Sequence, residues 1–397
     1  MQVVPDRMST GGADRAAEVF ELFIAWTAFQ RRQVSMAEHT GFETFFLPVP
    51  RHAGKLKKGL LYLRHALNTW RVLRLRRPRV VYVQLPQLPL LWVALLYCRL
   101  APGGQVRVVA DCHNAMLRPP WSSLPFTRWS LGAANAVLVH NEEMLVVVRR
   151  LGWKDSNVRV LEDVPPLQRA ACATGQARAV IPLRKPWVVF PGSFSADEPI
   201  AEVLSAARVA PEMGFILTGN PATARRNGHL VDDLPPNVVL TGYLPAEVFD
   251  DLLREADVVL GLTRFEGIQL SVCNEALGFG RALVTSNTRL LAQLFGSAAI
   301  LVDTADPQSI AAGCQRAFAE RSSREKASAA LGQRRLSEWL AGPWARGRER
   351  VGWPSASWRP LHGGHHVPSV RIAVTQRQVA AEPNVSERPV RCDACLQ

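Results

Sequence analysis

Twice along this chain, short apolar runs alternate with longer helix-like stretches, and a polar, proline-bounded break separates the two series. Runs rich in Val, Ile, Leu and Phe, with no polar alternation, read as strands buried on both faces. Strands of that kind, spaced by helices, predict parallel sheets covered by helices on either side. The first series comprises Leu22 to Trp26, Phe42 to Val49, Val80 to Gln84, Val106 to Asp111 and Ala136 to His140. The second comprises Trp187 to Phe190, Gly214 to Thr218, Asn237 to Thr241, Asp257 to Leu262, Ala282 to Thr285 and Ala299 to Val302. The expected organisation is α/β with two parallel-sheet domains, 20–164 and 187–340, joined by a linker over 165–186. Residues 1–19 form an N-terminal extension, and 341–397, rich in Arg, Pro, Gly and Trp without periodicity, read as a disordered tail. STGGADRAAEV in the extension resembles a glycine-rich loop entering a helix, but FIAW makes the better first core strand.

Composition narrows the class. At 397 residues, with 48% hydrophobic residues and zero mean hydropathy, the chain suits two globular cores. No apolar run reaches the roughly 20 residues of a membrane-spanning helix, and the start of the chain lacks an apolar signal block. The seven cysteines are scattered, and Cys392 and Cys395 form a CxxC with no second pair. Neither a disulfide framework nor a zinc site is expected, and a reducing cytoplasm fits best. His362, His365 and His366 have no Cys or acids beside them, and the sequon at Asn384 would go unused there.

The net charge of +13 is uneven: residues 1–150 hold 20 Lys and Arg against 9 Asp and Glu. Ten of those cations fall between Arg51 and Arg79, where there is no acid. Within that stretch Leu56, Leu60, Leu63, Leu67 and Trp70 recur at helical spacing as one apolar stripe. Two readings stay open. The stripe packs on the sheet and the cations are solvated, or Lys55, Lys57, Lys58, Arg64 and Arg71 meet an anionic membrane surface. No aromatic platform or recognition motif accompanies the charge, so nucleic acid is not an expected partner.

The densest chemistry lies in DVVLGLTRFEGIQLSVCNEALGFGRALVTSN. Here a strand delivers the loop from Thr263 through Gly267, Ile268 and Gln269 to its carboxyl end. The helix beginning near Leu270 and Ser271 then points free N–H groups at whatever sits there, which favours a phosphate. Glu275, about one turn further, can accept hydrogen bonds from ribose hydroxyls. The chain has no Gly-x-Gly-x-x-Gly fingerprint, which counts against a dinucleotide dehydrogenase.

These residues resemble the family 4 glycosyltransferases and their relatives, whose loop reads like EGFGLPxLEAMACGxPVV. Glu275 stands where the family has its ribose-binding glutamate. Glu266 is out of register by one, with eight residues between the two glutamates, and Gln269 or Thr263 could take part of its role. NVVLTGYLPAEVFDDLLREADVVLGLT resembles the passage carrying the nucleobase-side loop, here with Tyr243 and Leu244. Gly192, Ser193, Gly219 and Asn220 follow strand ends on the same side. Where the family often has a basic pair against the diphosphate, this chain has Ser193 and Glu198. Backbone amides at Gly192 and Ser193, with the helix end near Leu270, would hold the phosphates instead. VVADCHNAMLRPPW and VVYVQLPQLPLLWVALL resemble the chitobiosyldiphosphodolichol β-mannosyltransferase group.

The resemblance implies the GT-B fold of two Rossmann-like domains, with the donor site in the interdomain cleft. It implies a retaining hexosyl transfer, mannose or glucose, from a GDP- or UDP-sugar to a lipid-linked or polysaccharide acceptor. The leaving diphosphate would take the acceptor proton, and His113 and Asn114 would face the transferred sugar. No resident cofactor is expected and, without an Asp-x-Asp motif, no metal either. The protein would sit peripherally on the cytoplasmic face of the membrane. Two alternatives remain: a non-catalytic GT-B scaffold that binds nucleotide sugar, and a nucleotide-sugar epimerase of the same fold.

Overall fold

The computed structural model describes residues 20–49, 54–103, 106–164, 174–229 and 233–342. The expectations for 1–19 and for the tail beyond Gly342 lie outside these residues. Among the described residues, twelve strands form two six-stranded sheets in which every ladder is parallel. The first contains β1 (Glu21–Ala25), β2 (Glu43–Phe46), β3 (Val80–Leu85), β4 (Arg107–Cys112), β5 (Ala136–Val139) and β6 (Val158–Val160). Its order is β2-β1-β3-β4-β5-β6. The second contains β7 (Trp187–Pro191), β8 (Gly214–Thr218), β9 (Val238–Gly242), β10 (Val258–Gly261), β11 (Leu283–Ser286) and β12 (Ile300–Val302). Its order is β12-β11-β10-β7-β8-β9.

Strand period divides each sheet's apolar residues between two cores. In β1, Leu22 and Ile24 enter one cluster with Val81, Val83 and Val108, while Phe23 enters the opposite one with Tyr82, Val109 and Phe42. In β7, Val188 and Phe190 face one side, and Trp187 and Val189 the other. At about 1.5–3 kcal/mol per buried aliphatic or aromatic side chain, these double-sided cores fix which residues can be strands. The second strand is shorter than the apolar run suggested. The three-residue β6 is one that periodicity did not reveal, because VRV is too short to carry a pattern.

The helix Lys55–Arg76 forms where the basic stretch predicts one, but its leucine stripe faces outward. Leu56 is 82% exposed, Leu60 63%, Leu63 60% and Leu67 52%. His65, Thr69 and Leu73 are the buried line, flanked by Tyr62, Ala66 and Trp70. Trp26 donates its indole N–H to Thr69 Oγ1 (3.1 Å), and His65 contacts the Pro48 carbonyl (3.0 Å). The packing face is thus set by polar anchors one step around the helix from the leucines. Packing of the leucine face on the sheet is ruled out by this geometry. Among the described residues no helix is long and apolar enough to cross a membrane.

Between the sheets, part of the expected linker is a short helix, Gln176–Val180, whose N-terminal amides meet a carboxylate: Asp251 accepts from Thr174 N–H and Ala177 N–H. The helix Arg321–Ala341 returns the chain to the first half. Leu331 belongs to a core of the second sheet, whereas Leu336, Trp339 and Leu340 join a core of the first. Trp339 also donates its indole N–H to the Glu162 carbonyl (3.1 Å), and Arg335 pairs with the Glu162 carboxylate (3.0 Å). Trp339→Ala should therefore lower stability by about 3–5 kcal/mol, the usual cost of truncating a buried aromatic. Urea unfolding would read this, and a loss near zero would mean the helix end does not dock.

Candidate functional site

In open parallel sheets, ligands bind outside the carboxyl ends of strands, where the strand order reverses. The first sheet reverses between β1 and β3, the second between β7 and β10. The loops leaving these ends supply nearly every group with chemistry. After β1 comes the helix Arg31–Thr40; Asp111 lies in the last turn of β4 with His113 just beyond; His140 and Asn141 follow β5. On the second sheet, Gly192 and Ser193 follow β7, Gly219 and Asn220 β8, Tyr243 and Leu244 β9, and the loop of Thr263 to Leu270 follows β10.

Two consecutive arginines at the head of the helix Arg31–Thr40 organise the first-domain wall. Arg31 reaches across to the second domain, where Nε donates to Glu275 Oε1 (3.0 Å) and Nη2 to Asp250 Oδ1 (3.2 Å). Arg32, almost fully buried, turns inward. It donates to both oxygens of Asp111 at 3.2–3.3 Å, to Asp163 and to the Leu161 carbonyl. Gln33 adds a longer contact to Asp111 Oδ2 (3.3 Å). Burial alone would raise the Asp111 carboxyl, but Arg32, with His140 and His113, outweighs it and holds the group well below the usual carboxylate range. Asp163 is lowered by the same guanidinium against the same desolvation.

His113 and His140 approach Asp111 from the loops after β4 and β5. Their rings stand edge-to-face with centroids 4.6 Å apart. The Nε2 atoms lie 3.6 Å (His113) and 3.7 Å (His140) from Asp111 oxygens, and both are buried without a hydrogen-bond partner. Burial, and then the neighbouring His140, push the His113 imidazole down to about 3, so it is neutral at physiological pH. Asn114 opens the short 3-10 turn Asn114–Leu117 beside it.

On the opposite wall Glu275 is 5% exposed, in the helix Ser271–Gly278. Desolvation raises its carboxyl above the ordinary value despite the opposing charge of Arg31. Only Oε1 is taken by Arg31, and Oε2 carries no protein hydrogen bond among the described residues. Thr263 is buried, its N–H on Ser286 Oγ (2.8 Å) and its hydroxyl on Asp197 Oδ2 (2.9 Å). The Gln269 amide has both polar atoms buried and unpartnered, and Asn274 Oδ1 is likewise orphaned. Such groups are costly to bury and point to a polar partner. Gly267 adopts a left-handed φ of +74°, and a Cβ there would lie 2.7 Å from Glu143 of the first domain. Its carbonyl receives Asn141 Nδ2 (3.4 Å). The half-buried Ile268 and Leu270 and the exposed Ser271 continue this loop into the helix.

Glu266 and Glu198 each make definite protein contacts. Glu266 is exposed and accepts the Arg289 N–H (3.1 and 3.2 Å), acting as a surface brace for a neighbouring helix. More consequentially, Glu198 fills the place kept for phosphate. Its carboxylate accepts from Ser193 N–H (3.0 Å), Ser193 Oγ–H (2.8 Å) and Phe194 N–H (2.7 Å). The Gly192 N–H is spent on the Thr218 carbonyl (3.2 Å). In this structure an internal anion therefore occupies the Ser193 and Phe194 donors. Gly219 is required for a different reason: a Cβ there would sit 2.3 Å from the Gly192 carbonyl. Asn220 caps the next short helix through Ala222 N–H (2.8 Å), and Tyr243 stands exposed at the end of β9.

Sequence reading missed Arg31, Arg32, His140, Asp163 and the carboxylate role of Glu198. His140 shares with His113 a position directly after a strand end, and that was the signal available. The arginines looked like ordinary solvated helix residues. The Asp250 and Glu275 partners of Arg31 lie more than two hundred residues away in sequence, beyond any local pattern.

Residues 185–320 match the family model described as Glycosyl transferases group 1. No curated protein sequence matches the chain. Among solved structures, it is similar to Anabaena Alr3699/HepE in complex with UDP and glucose, at 13% identity and TM-score 0.57, over 80% of this chain and 95% of that one. It is also similar to sucrose-phosphate synthase from Thermosynechococcus elongatus, at 14% identity and TM-score 0.59, over 84% and 97%. A third is the UDP-forming trehalose-phosphate synthase from Burkholderia xenovorans, at 12% and 0.57, over 84% and 99%. The two Rossmann-like sheets are thus arranged as in GT-B glycosyltransferase structures, with a glycosyltransferase group 1 domain in the second half.

The arginine cluster yields a signed prediction. Arg32→Met leaves Asp111 and Asp163 buried without their cation, at a cost of about 3–5 kcal/mol near neutral pH. In the parent, both carboxyls are depressed on folding, so their stabilisation is present above about 4 and is lost as pH falls. In the variant they take up protons more readily on folding, so acidification relieves it. Thermal unfolding should show a gap between the two proteins at pH 7.5 that narrows by pH 5; a gap that stays constant would contradict the pairing.

Proposed function

We propose that the chain is a retaining glycosyltransferase that moves a hexose, mannose or glucose, from a UDP- or GDP-sugar to a lipid-linked or glycan acceptor. The observation that carries this reading is Glu275, a buried carboxylate at the carboxyl side of β10 with one oxygen free of donors among the described residues. Next to it stand the N-terminus of its helix and the unpartnered Gln269 amide. A ribose diol on Oε2 and a diphosphate toward the amides around Ser271 would satisfy these groups together. The names of the similar structures, which include complexes with UDP and with UDP-glucose, support a uridine nucleotide first.

To neutral His113, with Asn114, on the facing wall we assign contact with the transferred sugar and the acceptor hydroxyl. In a retaining reaction the leaving diphosphate takes the acceptor proton, and donors around the phosphates stabilise the charge that grows there. In the absence of a basic pair after β7, Arg31 supplies a cation beside Glu275. Release from Oε1 of Glu275 would let its guanidinium turn toward a diphosphate.

The helix Lys55–Arg76 supports a membrane-facing acceptor side. Its exposed leucines run beside Lys57, Arg64 and Arg71, a pattern suited to anionic headgroups and the acyl boundary below them. A second reading, nucleotide-sugar binding without turnover, is favoured by one observation: Glu198 holds the Ser193 and Phe194 amides that would otherwise meet phosphate.

A thermal-shift panel of nucleotide sugars, followed by transfer assays with membrane lipid extract, separates these readings. Transfer to a lipid acceptor supports the enzyme; binding without transfer or hydrolysis supports the scaffold; no binding by any nucleotide sugar sinks both. Glu275→Gln should weaken donor affinity roughly 10- to 150-fold, the worth of about 1.5–3 kcal/mol for hydrogen bonds to a charged acceptor. For the membrane, sedimentation with phosphatidylglycerol-containing vesicles should carry down the parent protein. The triple replacement Leu60→Ser, Leu63→Ser, Leu67→Ser should stay in the supernatant, since each leucine contributes roughly 1.5–3 kcal/mol when fully buried. Equal partition of the two proteins would remove the membrane role.

A further inference from the structure

Four carboxylates, Asp111, Asp163, Asp250 and Glu275, line this cleft, and the guanidiniums of Arg31 and Arg32 are shared among them. At Asp111 the contacts are incomplete. His113 and His140 aim Nε2 atoms at its two oxygens, yet they stop at 3.6 and 3.7 Å. A charge-assisted N–H···O pair closes to about 2.7–2.9 Å. Both Nε2 atoms are accordingly left without a partner although they are shielded from solvent, and His140 as a whole is only 8% exposed. Unmade hydrogen bonds at two neighbouring buried imidazoles are costly and need a reason.

The spacing supplies one. Around a tetrahedral cation with ligands at about 2.0–2.2 Å, neighbouring ligand atoms lie about 3.4 Å apart. One ligand atom from each of Asp111, His113 and His140 lies within 4.8 Å of the other two. We propose that Asp111, His113 and His140 bind one divalent cation of the zinc type, with imidazole and carboxylate ligands. The set is the two-nitrogen, one-oxygen kind that first-row transition metals prefer. Three protein ligands leave one tetrahedral position for water or a substrate hydroxyl, and the half-buried His113 is the ligand with most access to the cleft. Arg32 and Gln33, at 3.2–3.3 Å from the Asp111 oxygens, act as the outer partners that orient a ligating carboxylate. Asp163 balances the charge of Arg32, so the guanidinium does not by itself exclude the ion.

The test uses the full, untagged chain with Cys392→Ser, Cys395→Ser, His362→Ala, His365→Ala and His366→Ala as background, so that the tail cannot bind the probe. After chelator treatment and dialysis, Co2+ is titrated and the visible absorption followed. The proposal expects a saturable tetrahedral spectrum at one Co2+ per chain, displaced by Zn2+. It expects His140→Gln and His113→Gln each to weaken Co2+ binding more than about tenfold, the lower end of what even an outer-shell change costs. Circular dichroism and the nucleotide-sugar thermal shift report whether those variants remain folded. No saturable spectrum in the background protein, or unchanged affinity in folded His140→Gln, overturns the proposal. Either result leaves the donor reading at Glu275 intact, because donor binding is measured separately.

Discussion

Adjacent arginines at one helix start tie this molecule together. Arg31 and Arg32 are consecutive in sequence, but their side chains serve different domains. Arg32 points into the first domain and neutralises Asp111 and Asp163, carboxylates that no sheet end could bury alone. Arg31 spans the cleft to Glu275 and Asp250. The position of the first-domain wall and its distance from the helix Ser271–Gly278 therefore rest on a single turn of backbone. The helix Arg321–Ala341 adds the second tie through Trp339 and Arg335 on Glu162, and Arg289 on Glu143 adds a third at the rim.

That arrangement explains how an anionic ligand could enter a site that is itself acidic. After β7, Glu198 gathers the amides and hydroxyl that would otherwise greet phosphate, and it replaces a cationic contact with an internal carboxylate. From the first domain, Arg31 stands against both Glu275 and Asp250. Donor binding and domain contact are in that view coupled: a nucleotide that takes Glu275 competes with, or redirects, the cation that bridges the two halves. The orphaned Gln269 amide and Asn274 Oδ1 lie on the same side and mark where polar ligand atoms would be most stabilising.

The fold was legible because burial on both faces leaves a simple trace. Runs such as VVYVQ, GFILT and DVVLGL have no polar alternation, and the strands lie where those runs are. The strand Val158–Val160 escaped because three residues carry no period. The outward leucines of Lys55–Arg76 misled in another way, since helical spacing reveals a stripe but not which stripe packs, and here Thr69 and His65 anchor the inner face. The candidate site could be picked out in the sequence where Glu275 and its loop are contiguous. It was illegible wherever tertiary pairing made it: Arg31 with Glu275, Arg32 with Asp163, and His140 with His113 are brought together only by the sheets.

The central claim is that a nucleotide occupies the cleft between these walls with its ribose on Glu275. A crystal structure of the chain with UDP or GDP bound tests this most directly. Ribose hydroxyls on Glu275 Oε2, phosphates toward the amides around Ser271, and an Arg31 side chain moved from its pairing with Oε1 are the expected result. A nucleotide bound elsewhere, with the Arg31–Glu275 pair undisturbed, would contradict it.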